Sequence, residues 1–539
     1  MADSKIFRIM ERYLEQLRES KIKVKRPNNT KIGYSPFFCS MSVIDDSISH
    51  ILEMENGGVY FLKEPLGYTP LKARLEIRMG HPIEGGGIQS ESFKLPGNLE
   101  PLASNIVLKD VGNATFWQCA EDLESRFAQT LGRTKKREQY VFFADAKKVE
   151  YTEKEKNLEF DLKKLESDLA KASLEINNRI IKDINFDFDA SLTKRYYLNS
   201  EGTRIFTNFI DYFLSMEITA VDGQKRVIPH SFRWVGNDIT KIPSITEIIK
   251  KGKQITHELS EILKAPIQNS GAFPAILDGE NVGVLFHEVM GHALEAHRMK
   301  DDEEWFSEGG VTLFKDRLGE KIAPNFLHVE DNPALENWNG NPLFGHYKFD
   351  EEGVAGKKVK LLENGVLKEY MHSRETAGYF KTNSNGHARA ELNSDPCPRM
   401  SNIIVTSSKT VSKEKLKKEL IAECEKKGLK YGLLLVGTEG GLTLPEESHY
   451  NTYPKRAFRV YTNGKIQEVR GVFITGEPNQ TLMHIDLTDG NYGVFHGFCG
   501  AESGKVSGTE IAPGAFVKSL SVSRIPERNY PHTYAPVLK

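Results

Sequence analysis

Over the first 260 or so residues, runs that alternate apolar and polar positions are interleaved with stretches whose apolar positions recur every three to four residues. Ile6 to Leu17 has the second pattern and predicts a short amphipathic helix. Cys39 to Met79 has the first, in several strand-like runs broken at Gly57-Gly58 and at Pro65-Leu66-Gly67. Gly85-Gly86-Gly87 reads as a flexible loop that lacks the spacing of a phosphate-binding loop. Helices are predicted over Ala114 to Lys136 and Tyr151 to Ile181. The second is rich in Lys, Glu and Leu, a composition suited to a domain arm or dimer contact. Strands follow at Asn185 to Ala190, Lys194 to Asn199 and Arg204 to Val221, with turns at Ser200 to Thr203 and Asp222-Gly223, and then a helix at Ile245 to Leu263.

Beyond a boundary placed at Lys264-Ala265-Pro266 the pattern turns to strands and turns. Val359 to Leu362 and Val366 to Met371 form a hairpin around Asn364-Gly365, a strong turn signal. Leu433 to Gly437, Phe458 to Tyr461, Gln467 to Ile474 and Ser519 to Ser523 continue the series. Ser412 to Gly428 is helical, with a serine at its start and a glycine at its end.

One further helix carries chemistry. Ala272 to Leu277 reads as a buried strand and Asp278 to Asn281 as the turn that opens the helix. Val282, Leu285, Phe286, Val289, Met290 and Ala293 then form an apolar stripe. His287 and Glu288 each fall roughly 130° from the centre of that stripe, on opposite sides, so packing does not call for them. Together with His292 they make a candidate zinc site with its own general base. Histidines four apart share a helix face, whereas these are five apart and diverge by roughly 140° on a regular helix. The spacing therefore predicts a π-type turn, with Gly291 the most permissive place for it. Two imidazoles leave zinc short of ligands. Glu295 could reach from the next turn, while His297 reads as surface.

The remaining ligand candidates are cysteines. Cys39, Cys119, Cys397, Cys424 and Cys499 are odd in number and without a CxxC pair, which is no disulfide framework. Cys499 stands out because Gly497 and Gly500 flank it, as in a loop shaped around a ligand. Composition narrows the partners: 72 Lys and Arg against 74 Asp and Glu leave a net charge of -2, with no basic excess for nucleic acid or an anionic membrane. No apolar run is long enough to span a bilayer, and the charged stretch from Met1 to Ile22 lacks a secretory core. The expected location is the cytoplasm. The expected fold class is α+β in two domains: an N-terminal α/β domain over 1–265 and a C-terminal, mainly antiparallel β domain over 266–539 that holds the metal-binding helix.

The segment HEVMGHALEAHR resembles the H-E-x-x-x-H helix of the TldD/PmbA (TldD/TldE) family of metallopeptidases. Asp350 to Gly356, Leu362 to Lys368, Arg374 to Arg389, Pro398 to Asn402 and Phe498-Cys499-Gly500 are similar to further segments of that family, and Tyr196 to Gly202 resembles a turn in its N-terminal domain. The resemblance covers Arg195 onward and is weak before it. It implies that His287, His292 and Cys499 hold zinc, that Glu288 is the base, and that the chain is of the catalytic, TldD type. It also implies a zinc-dependent peptidase for unfolded or short peptides, acting in a cavity within a homodimer or a heterodimer with a PmbA-like subunit. The N-terminal domain would then serve the dimer and the cavity. Two departures stand out: a longer, divergent N-terminal region, and His297 where the family has an acidic residue. Substrate-binding residues stay unassigned, although an extended peptide could add to an exposed sheet edge. The alternatives are a non-catalytic PmbA-like partner subunit, or a binding protein whose structural zinc takes a fourth ligand from Glu295 or His496.

Overall fold

The computed structural model describes residues 2–25, 31–65, 69–81, 85–130, 143–222, 227–300, 314–444 and 449–525. Among these, eight strands form one sheet in the N-terminal half. Its main order is Val227–Gly236, Arg204–Val221, Ile181–Asn199, Pro36–Glu55, Leu71–His81 and Gly85–Leu95, each antiparallel to the next. Gly58–Lys63 lies beside Pro36–Glu55, and the short Glu150–Thr152 runs parallel to Arg204–Val221.

Even-numbered residues of Ile181–Asn199 and Arg204–Val221, such as Phe186, Phe188, Leu214 and Met216, turn to one face. A bulge between Asp45 and Ile48 inserts one residue into Pro36–Glu55, so Met41 and Leu52 reach that same face despite opposite parity. Helices α1 (Ala2–Glu19), α2 (Pro101–Thr130), α3 (Leu162–Ile176) and α4 (Ile245–Lys264) cover it. The opposite face meets the C-terminal half through paired charges: Arg78, itself paired with Glu76 on its own strand (2.6 Å), with Glu375 (3.4 Å), Arg74 with Asp395 (2.6 Å), and Arg374 with Glu201 (2.7 Å). Buried charges persist only with such partners.

Several expectations from the sequence change here. The helix predicted over Tyr151 to Ile181 begins only at Leu162, because Asp161 caps it there; Glu150–Thr152 pairs as a short edge strand and residues 153–161 are irregular chain. It buries Leu169, Ala172 and Ile176, so it is a core helix and not a projecting arm. Gly85 to Gly87 is strand, not loop: a Cβ on Gly87 would fall 2.1 Å from the Cys119 carbonyl oxygen, so the glycine lets α2 lie directly on the sheet. The two strands predicted between Asn185 and Asn199 are one, and α2 starts at Pro101. Leu66-Gly67, residues 131–136 and Gly223 lie outside the described residues.

Twelve strands among the described residues form the C-terminal sheet. Its long strand Gly504–Arg524 pairs antiparallel with Gly271–Leu277, Val472–Gly476 and Ile485–Ala501, and parallel with Asn402–Ser407. Tyr431–Leu444 pairs antiparallel with His449–Tyr461 and parallel with Gly271–Leu277. The sheet is thus mainly antiparallel, with a few parallel pairs. Asn364 (φ 52°) and Gly365 (φ 73°) both adopt the left-handed conformation that a tight hairpin turn needs, although the returning strand ends at Leu367. The predicted Ser412 to Gly428 helix is present as Lys413–Lys426, capped by Ser412. Helices and two large sheets make this an α+β fold. No helix among the described residues is long and apolar enough to cross a membrane.

Candidate metal centre

Helix α5 (Gly279–Phe286) starts where Asp278 accepts the Asn281 N–H at 3.1 Å, and the same carboxylate accepts the Gly437 N–H at 2.7 Å. One side chain thereby caps the helix and ties it to Tyr431–Leu444. From His287 to Gly291 the helix widens into a π turn, in which the His292 N–H bonds to the His287 carbonyl five residues back. The extra residue per turn brings the imidazoles together, with ring centroids 5.0 Å apart and planes at 84°. The turn sits where the spacing predicts it, but Gly291 has another reason to be there. Its φ of -55° and ψ of -59° suit any residue, whereas a Cβ would strike the Met400 sulfur at 2.0 Å. The glycine provides room for Met400.

Cys499 arrives from the other end of the sequence. The glycine-rich segment expected to be a loop is strand: Cys499 lies in Ile485–Ala501, opposite Val506 in a long hairpin. Its Sγ is 3.3 Å from His292 Nε2, and one donor atom each of His287, His292 and Cys499 lie within 4.8 Å of one another. Nitrogen and sulfur bound to one tetrahedral zinc stand about 3.5 Å apart, so this donor set fits the ion. Both imidazoles are also aimed. His287 Nδ1 lies 2.7 Å from Glu510 Oε1, and His292 Nδ1 lies 3.3 Å from Glu295 Oε2. Each Nε2 is left for the shared centre, the arrangement typical of metal-ligating histidines.

The electrostatics follow from this packing. Burial alone would lower the His287 and His292 pKa values. The Cys499 thiolate, with Glu510 for one ring and Glu295 for the other, outweighs it and raises both, His292 to about 9. Burial likewise opposes a Cys499 thiolate, but the two imidazolium rings hold its pKa well below the ordinary value. Glu295 is fully buried and still held ionised by His292, Arg298 (3.0 Å) and Arg399 (3.4 Å).

Several candidates named from the sequence land elsewhere than expected. Glu295 stands behind His292, outside the ligand cluster. His297 is buried, not surface, and its Nε2 lies 3.7 Å from Glu502. His496 is one of the residues facing away from Cys499, because strand alternation puts 495, 497 and 499 on the other side; its Nδ1 lies 3.1 Å from Thr509 Oγ1. Glu288 is buried under Tyr431–Leu444, where Thr443 Oγ1 lies 2.8 Å from its carbonyl oxygen and beside its Oε2. A Cβ on Gly441 would reach within 2.7 Å of Glu288 Oε1, so only glycine keeps that oxygen clear. The ligand cluster and Glu288 border a cavity of about 880 Å³, roofed by Phe213 and Arg233 from the N-terminal sheet and walled by Phe495 and Phe498.

Sequence reasoning missed Glu510, Thr443 and Arg399. Arg399 donates to the Cys499 carbonyl (2.8 Å) and to Ser503 (2.9 Å) while facing Glu295, and so links both ends of the ligand set. The one signal for Glu510 is an acidic residue standing directly before the mostly apolar stretch Ile511 to Val517.

Residues 270–524 match the family model described as PmbA/TldA metallopeptidase C-terminal domain. A metalloprotease of Methanocaldococcus jannaschii is 28% identical over 60% of this chain and 66% of its own length, just under two thirds. A zinc metalloprotease TldD homolog of Saccharolobus solfataricus is 26% identical over 66% of this chain and 75% of that one. The crystal structure of TldE from Thermococcus kodakarensis superposes with a TM-score of 0.63 at 16% identity, covering 96% of this chain and 100% of that one, which speaks for the fold. With the motif helix and the glycine-flanked cysteine both inside the matched region, residues 270–524 belong to the TldD/PmbA family as its C-terminal domain.

Proposed function

We propose that this chain is a cytoplasmic zinc-dependent peptidase of the TldD type that hydrolyses unfolded or short peptides. The observation behind this reading is the convergence of His287, His292 and Cys499, two of them backed by carboxylates, next to Glu288 in one cavity. A zinc ion held there by the three residues would acidify a water molecule and polarise a carbonyl. Glu288 accepts the water's proton at Oε1, the oxygen that Gly441 leaves clear, while Thr443 steadies Oε2. The same carboxyl then protonates the leaving amine.

Substrate binding rests on the sheet. Among the described residues, Gly441 to Thr443 pairs with a strand on one side only, and its other edge runs along the cavity. An extended peptide adding to that edge would be gripped by backbone hydrogen bonds, with little demand on its side chains. We place the division of labour at residues 264–266, the N-terminal part closing the cavity and serving a dimer with an identical or a PmbA-like chain, and the C-terminal part doing the chemistry.

Glu288→Gln tests the assignment. It should keep one zinc per chain at this centre and lower peptide hydrolysis by about 10²- to 10⁴-fold. An active Glu288→Gln protein would end the assignment of the base; zinc bound without hydrolysis in the wild type, alone and with a PmbA-like partner, would point to a structural ion.

A further inference from the structure

A second group of metal-ligand side chains lies behind the first. His297, Cys397 and Glu502 each place a donor atom within 4.8 Å of the other two. They come from three separate segments: the turn Ala296–Met299, the strand Cys397–Pro398, and the hairpin end that follows Ala501. His297 and Cys397 are buried, while the Glu502 side chain is 27% exposed and borders the cavity, which gives an ion a route in. The 3.7 Å from His297 Nε2 to Glu502 Oε2 is long for a hydrogen bond. It is near the separation of about 3.3 Å that nitrogen and oxygen take on one tetrahedral ion.

We propose that His297, Cys397 and Glu502 form a second metal site, for a thiophilic divalent cation of the zinc class. A sulfur donor excludes magnesium and calcium, which take oxygen. Arg298 holds Glu502 Oε1 at 2.5 Å and Oε2 at 2.8 Å, leaving a lone pair on Oε2 for the ion.

The role of this site is structural. The three segments it joins are those that hold the first cluster: Glu295 behind His292 precedes His297 by two residues, Arg399 on the Cys499 carbonyl follows Cys397 by two, and Glu502 follows Cys499 by three. An ion here staples the ligand turn to the cysteine hairpin.

Cobalt(II) titration of the full chain decides it, read by stoichiometry and by the thiolate-to-cobalt absorption band. The wild type should bind two cobalt ions. The His287→Ala/His292→Ala/Cys499→Ala variant should still bind one, with a thiolate band that disappears when Cys397→Ser is added. A wild type that saturates at one ion, kept in Cys397→Ser and lost in Cys499→Ala, overturns this second site and leaves the peptidase centre standing. One ion kept in Cys499→Ala and lost in Cys397→Ser upholds this site and sinks the first. Two ions in the wild type need no variant, and a single ion is assigned by which of Cys397 and Cys499 it protects from iodoacetamide in the wild type, so a variant that fails to fold leaves the answer intact.

Discussion

Two histidine–cysteine pairs sit side by side in this protein, and their ionisation differs in sign. In the first, the His292 pKa is raised to about 9 and the Cys499 thiol is held far below its usual range. In the second, burial lowers the His297 pKa and pushes the Cys397 thiol up to about 12. The donors are the same; the groups behind them are not. Glu510 and Glu295 stand against the first pair's imidazoles. The carboxylate beside His297 is Glu502, and Arg298 already claims both of its oxygens. A thiol beside an imidazole is thus ionised in advance by the carboxylate that charges the imidazole, whereas Cys397 would give up its proton only as an ion binds.

The largest expected break in this contrast comes from removing each sulfur. Cys499→Ala should lose the first centre's zinc and all measurable peptide hydrolysis, by metal analysis and peptide assay, whereas Cys397→Ser should keep the zinc bound at His287 and His292. Equal loss of hydrolysis in the two variants would erase the distinction. Next is chemical reactivity: in chelator-treated protein at pH 7, iodoacetamide should modify Cys499 at least about a hundredfold faster than Cys397, and zinc should protect Cys499. Peptide mapping by mass spectrometry reads both sites, and comparable rates would contradict the opposed thiol shifts.

Removing the supporting carboxylates sharpens the comparison. Glu510→Gln should weaken zinc binding about 10- to 100-fold in a chelator competition. Glu295→Gln should do the same and also leave Arg298 and Arg399 short of a buried partner, at a cost of about 3–5 kcal/mol in urea unfolding. The smallest effect is the pH response of the zinc-free protein. A raised histidine pKa contributes stability that is complete below about pH 6.5 and lost as pH rises through about 9. The lowered Cys499 pKa acts in the opposite sense up to about pH 9 and offsets one of the two raised histidines, so melting of the chelated protein should fall by only on the order of 2 °C between pH 7 and pH 10.

How much of this is legible in the sequence depends on distance along the chain. The π turn is legible because its cause, five-residue spacing between two histidines on an apolar-striped helix, is local. The α+β class and the long strands follow from alternation over many residues. The glutamate behind His287 is not legible, because it lies 223 residues away and only the pairing of Gly504–Arg524 over α5 brings it there. The glycines around Cys499 point to the right residue and the wrong backbone: glycines that suggest a loop also occur where strands pass close to other chain segments. The overlong helix at Tyr151 has a similar cause. Lysine and glutamate favour a helix, yet they suit exposed irregular chain equally well, and the helix waits for its cap at Asp161.

The wide turn at His287 to Gly291 amounts to one residue inserted into a helix, and that has a consequence for how the segment could change. Deleting one of the residues between the two histidines would leave them four apart on an ordinary helix, still able to share an ion. The deletion would, however, rotate everything downstream by about 100° relative to what precedes it. Leu294 and Glu295, both now fully buried, would swing out of the core and away from Arg399. The pairing of imidazoles and the seating of the following residues are thus separate requirements, and the second one keeps the extra residue in place. A shortened motif could rejoin this scaffold only if the turn from Leu294 to Met299 were rebuilt at the same time.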